Sequence, residues 1–189
     1  MTPDASQIDD QLKTIKAAMQ AGRFDDAARL LDDVLASAPD NQDALYMAAA
    51  TARYRNETEM AFSLLERLKR VAPDYGRAFQ EEGHLYRKLG QGPQAIAAFE
   101  LAVRYNPALV ASWKALADLH RARGDAARAA EAAAQGTRLS QLPRELLAVT
   151  NHIHEGRVLQ AERISRAFMQ KNPRHVEGMR LLADIGTRL

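Results

Sequence analysis

His152 and His154 are the residues whose type and proximity could hold a metal ion. Residues two apart on a helix point in different directions, unlike the three- or four-residue spacing that converges on one ion. The pattern therefore predicts structural histidines, His152 at a packing position and His154 near a turn. The chain has no Cys, so disulfides, thiolate metal sites and cysteine nucleophiles are excluded, while the compartment stays open. No Gly cluster opens a helix after a strand, and no phosphate loop of Walker type is present. Catalytic residues, cofactor and metal are each expected to be none, and the chain is expected not to be an enzyme. Binding is the chemistry that remains.

The elements that must position binding residues are repeats. Within residues 76–109, Phe79, Gly83, Tyr86, Gly90, Ala95, Phe99, Ala102 and Pro107 are the landmarks. Moved back by 34 residues, Pro107 lands on Pro73 and then on Pro39; Gly90 lands forward on Gly124 and, two steps back, on Gly22. A fixed period of this length marks an array in which each unit buries its apolar face on its neighbours. The order aromatic, small, aromatic, Ala, aromatic, Pro resembles the tetratricopeptide repeat. That resemblance covers nearly the whole chain and implies an all-α, right-handed superhelical solenoid of antiparallel helix pairs, with about eleven helices.

Read in order, residues 1–7 form a frayed lead-in and the repeats span 8–41, 42–75, 76–109, 110–141 and 142–175, followed by a terminal helix over 176–189. In the first, Leu12, Ile15 and Met19 give a helical stripe, with Gln11 at an aromatic position. In the second, Asn56 replaces the turn Gly, which is tolerable because Asn visits the left-handed region. In the third, Glu82 stands where the family has a buried Leu, so it must pair with an Arg or a backbone donor, or tilt to solvent. In the fourth, Ala129, Ala132 and Ala133 predict a weakly packed seam. Gly156 follows Gly124 by 32 residues instead of 34, and no Pro stands 34 after Pro107. The expected break in period, with an altered twist, is therefore at 139–143, where Pro143 suits the first turn of a new helix.

Arrays similar to this one bind extended peptides or partner helices in a groove lined by the first helix of each repeat. Aligning the units assigns to that face Arg53 and Tyr54; Arg77, Gln80, His84, Arg87 and Lys88; and Lys114 and Arg121. A predominantly basic middle would attract an acidic segment or a carboxylate terminus. Tyr46, Leu146, Leu147 and Ile153 also fall at groove positions and could anchor apolar side chains. Trp113 takes the aromatic position that packs between helices. A subclass of the family clamps a C-terminal carboxylate with Lys and Asn at set groove positions, but those positions here are Leu12, Lys16, Met47, Arg77 and Glu81, and only Arg77 has suitable charge at its place. The chaperone-type clamp is rejected.

The partner is expected to be a protein or peptide, acidic or amphipathic. Twenty-six bases against twenty-four acids leave a formal charge of +2, too little for a nucleic-acid surface. Neither a signal peptide nor a membrane-spanning stretch is evident, and a cytoplasmic location is expected. An exposed apolar stripe on the terminal helix, with Met179, Leu182, Ala183 and Ile185, raises the expectation of a homodimer. The segments Leu147–Thr150, Ile153–Arg157, Ala161–Arg163 and His175–Gly186 resemble the N-terminal region of bacterial proteins that join such repeats to a sulfotransferase domain. That resemblance implies a catalytic part beyond Leu189.

Overall fold

The computed structural model describes residues 5–189, and residues 1–4 of the expected lead-in lie outside the described residues. Eleven helices and no strand are present among the described residues. They are α1 (Ala5–Gln20), α2 (Phe24–Ser37), α3 (Gln42–Tyr54), α4 (Thr58–Val71), α5 (Gly76–Lys88), α6 (Gly92–Tyr105), α7 (Val110–Ala122), α8 (Ala126–Ser140), α9 (Arg144–His154), α10 (Val158–Lys171) and α11 (Val176–Gly186). The last residues of the predicted lead-in are thus helical. The chain divides into two compact units, one ending at Ala95 and the other running Ile96–Leu189.

Each helix pair is closed by one chemical device. Gly22, Gly90, Gly124 and Gly156 adopt positive φ, and Asn56 does the same at +66°. In every case the next residue returns its N–H five residues back: Arg23 to the carbonyl of Ala18, Glu57 to Ala52, Gln91 to Tyr86, Asp125 to His120 and Arg157 to His152. These bonds satisfy carbonyls that the helix end would otherwise leave open. Among the described residues, side chains hold the starts of α3, α8 and α11. Asn41 Oδ1 accepts from the Ala44 N–H at 2.9 Å, Asp125 Oδ1 from Arg128 at 3.1 Å and His175 Nδ1 from Gly178 at 3.2 Å.

In the first unit, Leu12 and Ile15 of α1, Leu31 and Val34 of α2, Leu45 and Ala49 of α3, and Leu65 and Leu68 of α4 merge into one core that Ala78 and Leu85 of α5 extend. In the second, Leu146, Val149 and Ile153 of α9 pack with Ala161 and Phe168 of α10 and Leu181 and Ile185 of α11. Leu146 and Ile153 are 0% and 5% exposed, which corrects their placement on a groove: both belong to this core.

The break in period is not at 139–143. Gln42, Gly76, Val110 and Arg144 begin alternate helices thirty-four residues apart, so α9 starts in register. Val176 follows Arg144 by thirty-two because α9 has 11 residues where α7 has 13. The two missing residues come out of α9, while at the junction before it α8 is one residue longer than α6 and the connection one residue shorter, which keeps the register. Repeat five accordingly begins its helix at Arg144, with Pro143 as the cap preceding the first turn. The Ala-rich α8 packs closely on α7, burying Ala129 and Ala132.

Candidate partner-binding site

In the first unit the assigned binding residues sit on the last turn of α3 and along α5. Arg53 Nε donates to Glu81 Oε2 at 2.5 Å, and the two side chains are 18% and 5% exposed. Burial opposes the Arg53 charge, but Glu81 overrides that penalty and raises its pKa. The guanidinium also lies 4.2 Å from the centre of the Tyr54 ring. Tyr54 in turn stacks on Phe24 at 4.7 Å, only 9° from parallel, and stays half exposed. Arg53 and Tyr54 thus form one aromatic and ionic assembly spanning α2, α3 and α5.

The five residues on α5 fare differently. Arg77 is half-buried, with its guanidinium 5.8 Å from the ring of Tyr46, which meets Tyr75 edge-on. Gln80 is buried. His84 is half-buried, and burial together with the charges of Arg53 and Arg87 pushes its pKa down to about 4. It is therefore neutral near pH 7 and adds no charge to the surface. Arg87 and Lys88 are exposed, and Lys88 Nζ donates to Asn56 Oδ1.

In the second unit Lys114 and Arg121 are both exposed on α7, and Arg121 pairs with Asp118 at 2.8 Å. An exposed pair of this kind contributes little to stability, on the order of 0–1 kcal/mol, and leaves the guanidinium open to exchange.

Glu82 takes the pairing option, with a lysine in place of the expected arginine. It accepts from Lys69 Nζ at 3.2 Å, and Lys69 also holds Glu66 at 2.7 Å. Lys69 is thereby raised in pKa against the burial that works the other way. Trp113 is only half-buried: its Nε1 donates to the Pro107 carbonyl at 2.9 Å. His152 lies 4.0 Å from Glu155, which Arg157 also approaches at 3.5 Å. His154 lies in the last turn of the same helix, its pKa lowered by burial and by Arg188. Among the described residues no three His, Asp or Glu side chains converge as metal ligands would.

Several polar residues escaped the sequence pattern. Glu81, Asn106 and His120 are buried at 4%, 1% and 6% exposure. Asn106 Nδ2 donates to Asn151 Oδ1 at 3.0 Å while its Oδ1 accepts from the Ala108 N–H. A signal for it exists: Asn precedes Pro at 106 and 172, whereas Ala precedes Pro39 and Pro73. The same residue type acts locally at the second site, where Asn172 Nδ2 donates to the carbonyl of Phe168.

Two sequence profiles, each described as "Tetratricopeptide repeat", match residues 18–82 and 81–141. No match was found among curated proteins. Among solved structures, TTC0263, a thermophilic tetratricopeptide protein of Thermus thermophilus, superposes with a TM-score of 0.63. It is 19% identical, over 94% of this chain and 98% of its own. A crystal structure of MamA gives 0.61 at 20% identity, covering 73% of this chain and 81% of that one. MamA from residue 41 onward of Desulfovibrio magneticus RS-1 gives 0.59 at 23%, over 72% and 77%. At such identities the likeness concerns the fold: helix pairs of the same repeating kind. Among the described residues no helix is long and apolar enough to cross a membrane.

Proposed function

Because the chain is built of tetratricopeptide repeats, we propose that it is a non-catalytic scaffold binding an acidic or amphipathic segment of a protein partner. The observation that carries this reading is on α5, where Arg87 and Lys88 stand exposed on the last turn next to a neutral His84. Half-exposed Tyr54 supplies an apolar and aromatic contact in the same unit. Arg53 contributes packing to this surface, since Glu81 already balances its charge. Lys114 and Arg121 offer a second pair of cations on α7. Arginine suits carboxylate recognition because its planar fork bonds both oxygens at once. The location proposed is cytoplasmic.

A fluorescein-labelled peptide alternating Glu and Leu, with its Lys-for-Glu counterpart as control, tests the reading. Binding of the acidic peptide should weaken with added salt. It should fall by about tenfold when Arg87 and Lys88 are both Glu, a loss on the order of 1.4 kcal/mol. Equal binding of the two peptides, or no response to the charge reversal, would remove the acidic-segment reading. A second reading is supported by the residue pattern of 147–186: these repeats position substrate for a larger sulfotransferase. On that reading the isolated chain transfers no sulfuryl group, and fusion to its native downstream sequence restores activity.

A further inference from the structure

Within the second unit a cleft of about 650 Å³ opens between the beginnings of α7 and α11 and the end of α8. That size falls in the range of about 300–1,000 Å³ typical of ligand sites. Its lining combines apolar side chains, Trp113, Leu139 and Leu142, with charged ones, Arg138, Glu177 and Arg180. The indole N–H is already given to the Pro107 carbonyl, so Trp113 has no further polar demand. Arg180 and Glu177 satisfy each other through two hydrogen bonds, at 2.9 and 2.7 Å. Glu177 is held ionised by that contact first, with Arg138 and His175 adding to the effect. Arg138 is exposed, and no ion pair to it is seen among the described residues.

The sequence departs from its own period beside this cleft. Gly136 stands one period after Ala102, and Gln141 one period after Pro107. A Cβ on Gly136 would meet Trp113 Cβ at 3.5 Å, an ordinary contact, so α8 lies directly against the Trp113 backbone beside the cleft. The cleft is thus lined by an indole ring and by an exposed guanidinium, Arg138, that acts on Glu177 only through its charge.

We infer that this cleft docks a peptide segment in which a leucine or aromatic side chain stands beside a carboxylate. The side chain enters against Trp113, Leu139 and Leu142, and the carboxylate takes both donors of Arg138. Two arginines and one glutamate leave a single positive charge in the wall. That balance suits one carboxylate and disfavours a polyanion, which would meet Glu177. The site goes beyond the function proposed above, because Arg87 and Lys88 belong to the other unit.

The test pans a randomised ten-residue phage-displayed peptide library on the whole chain. The enriched peptide is then titrated while the emission of Trp113, the sole tryptophan, is followed. The expected result is a consensus pairing an acidic with a large apolar residue, and a shifted or quenched Trp113 emission. Affinity should fall by about tenfold in Arg138→Glu and by a smaller factor in Arg138→Lys, which keeps charge but loses the fork. Arg138 is exposed, so both variants should melt as the parent does. A consensus lacking either feature, silent Trp113 emission, binding unchanged by Arg138→Glu, or no enrichment overturns the inference. Peptides lost with Arg87→Glu and Lys88→Glu but kept by Arg138→Glu also overturn it, while supporting the function proposed for the first unit.

Discussion

Arg53 and Glu81, twenty-eight residues apart, join α3 to α5 through an ion pair that is almost withdrawn from water. Removing one partner strands the other charge, which typically costs about 3–5 kcal/mol, whereas replacing both by apolar residues is often neutral. Glu81→Gln should therefore lower unfolding free energy by about 3 kcal/mol, and Arg53→Met with Glu81→Leu should recover most of it. Chemical denaturation of the three variants measures the coupling. A Glu81→Gln variant as stable as the parent would show the pair to be dispensable.

Asn56 carries a strained backbone that the other turns assign to glycine. Asn56→Ala should lose about 1 kcal/mol, the usual cost of a left-handed conformation for a residue with Cβ and no local polar support. Asn56→Gly should stay near the parent, trading the Lys88 contact for relaxed φ. Thermal melting ranks the two, and the reverse order would mean that the Lys88 contact outweighs the backbone.

The repeat period was legible because it rests on local necessities: a residue at positive φ, a proline stop and a buried aliphatic stripe. Asn56 was legible for the same reason. Glu82 showed itself as an intruder in an apolar pattern, but the chemically decisive acid is its neighbour Glu81, whose position carries no such signal. Its role depends on Arg53 arriving from another helix. The shortened α9 was misplaced to 139–143 because a turn glycine and an absent proline mark only that two residues are missing. Which helix loses them is decided by helix starts, and Pro143 fits both alternatives. Leu146 and Ile153 fall at groove positions when the units are aligned, but the core of α9 to α11 buries both.

Two helical glycines separate propensity from packing. At Gly136 a Cβ meets ordinary contacts of 3.5 Å, so Gly136→Ala should stabilise the chain by about 0.5–1 kcal/mol through helix propensity. At Gly178 the same atom lies 2.5 Å from Met169 Sδ and 3.3 Å from Phe168 Cε1. The thioether can swing aside but the ring gives less readily, so Gly178→Ala should gain less or lose. Melting temperatures that place Gly178→Ala above Gly136→Ala would contradict this.

His84 makes stability depend on acidity. Burial, then Arg53 and Arg87, hold its folded pKa at about 4 against an ordinary value of 6.5. As pH falls, the unfolded chain binds the proton first, so this contribution is complete above 6.5 and declines as pH drops towards about 4. Within that window the slope attributable to one such group is at most about 1.4 kcal/mol per pH unit. Carboxylates also titrate at the lower end, which is why the quantity to follow is the difference between the parent and His84→Gln. That difference should narrow as pH falls if the glutamine fills the same space without taking a proton. A gap that is constant from neutral pH down to the lower end would mean that the imidazole charges freely in the folded chain. The recess between Arg53 and Arg87 would then be open to water, and the case for a neutral contact beside Arg87 and Lys88 would go with it.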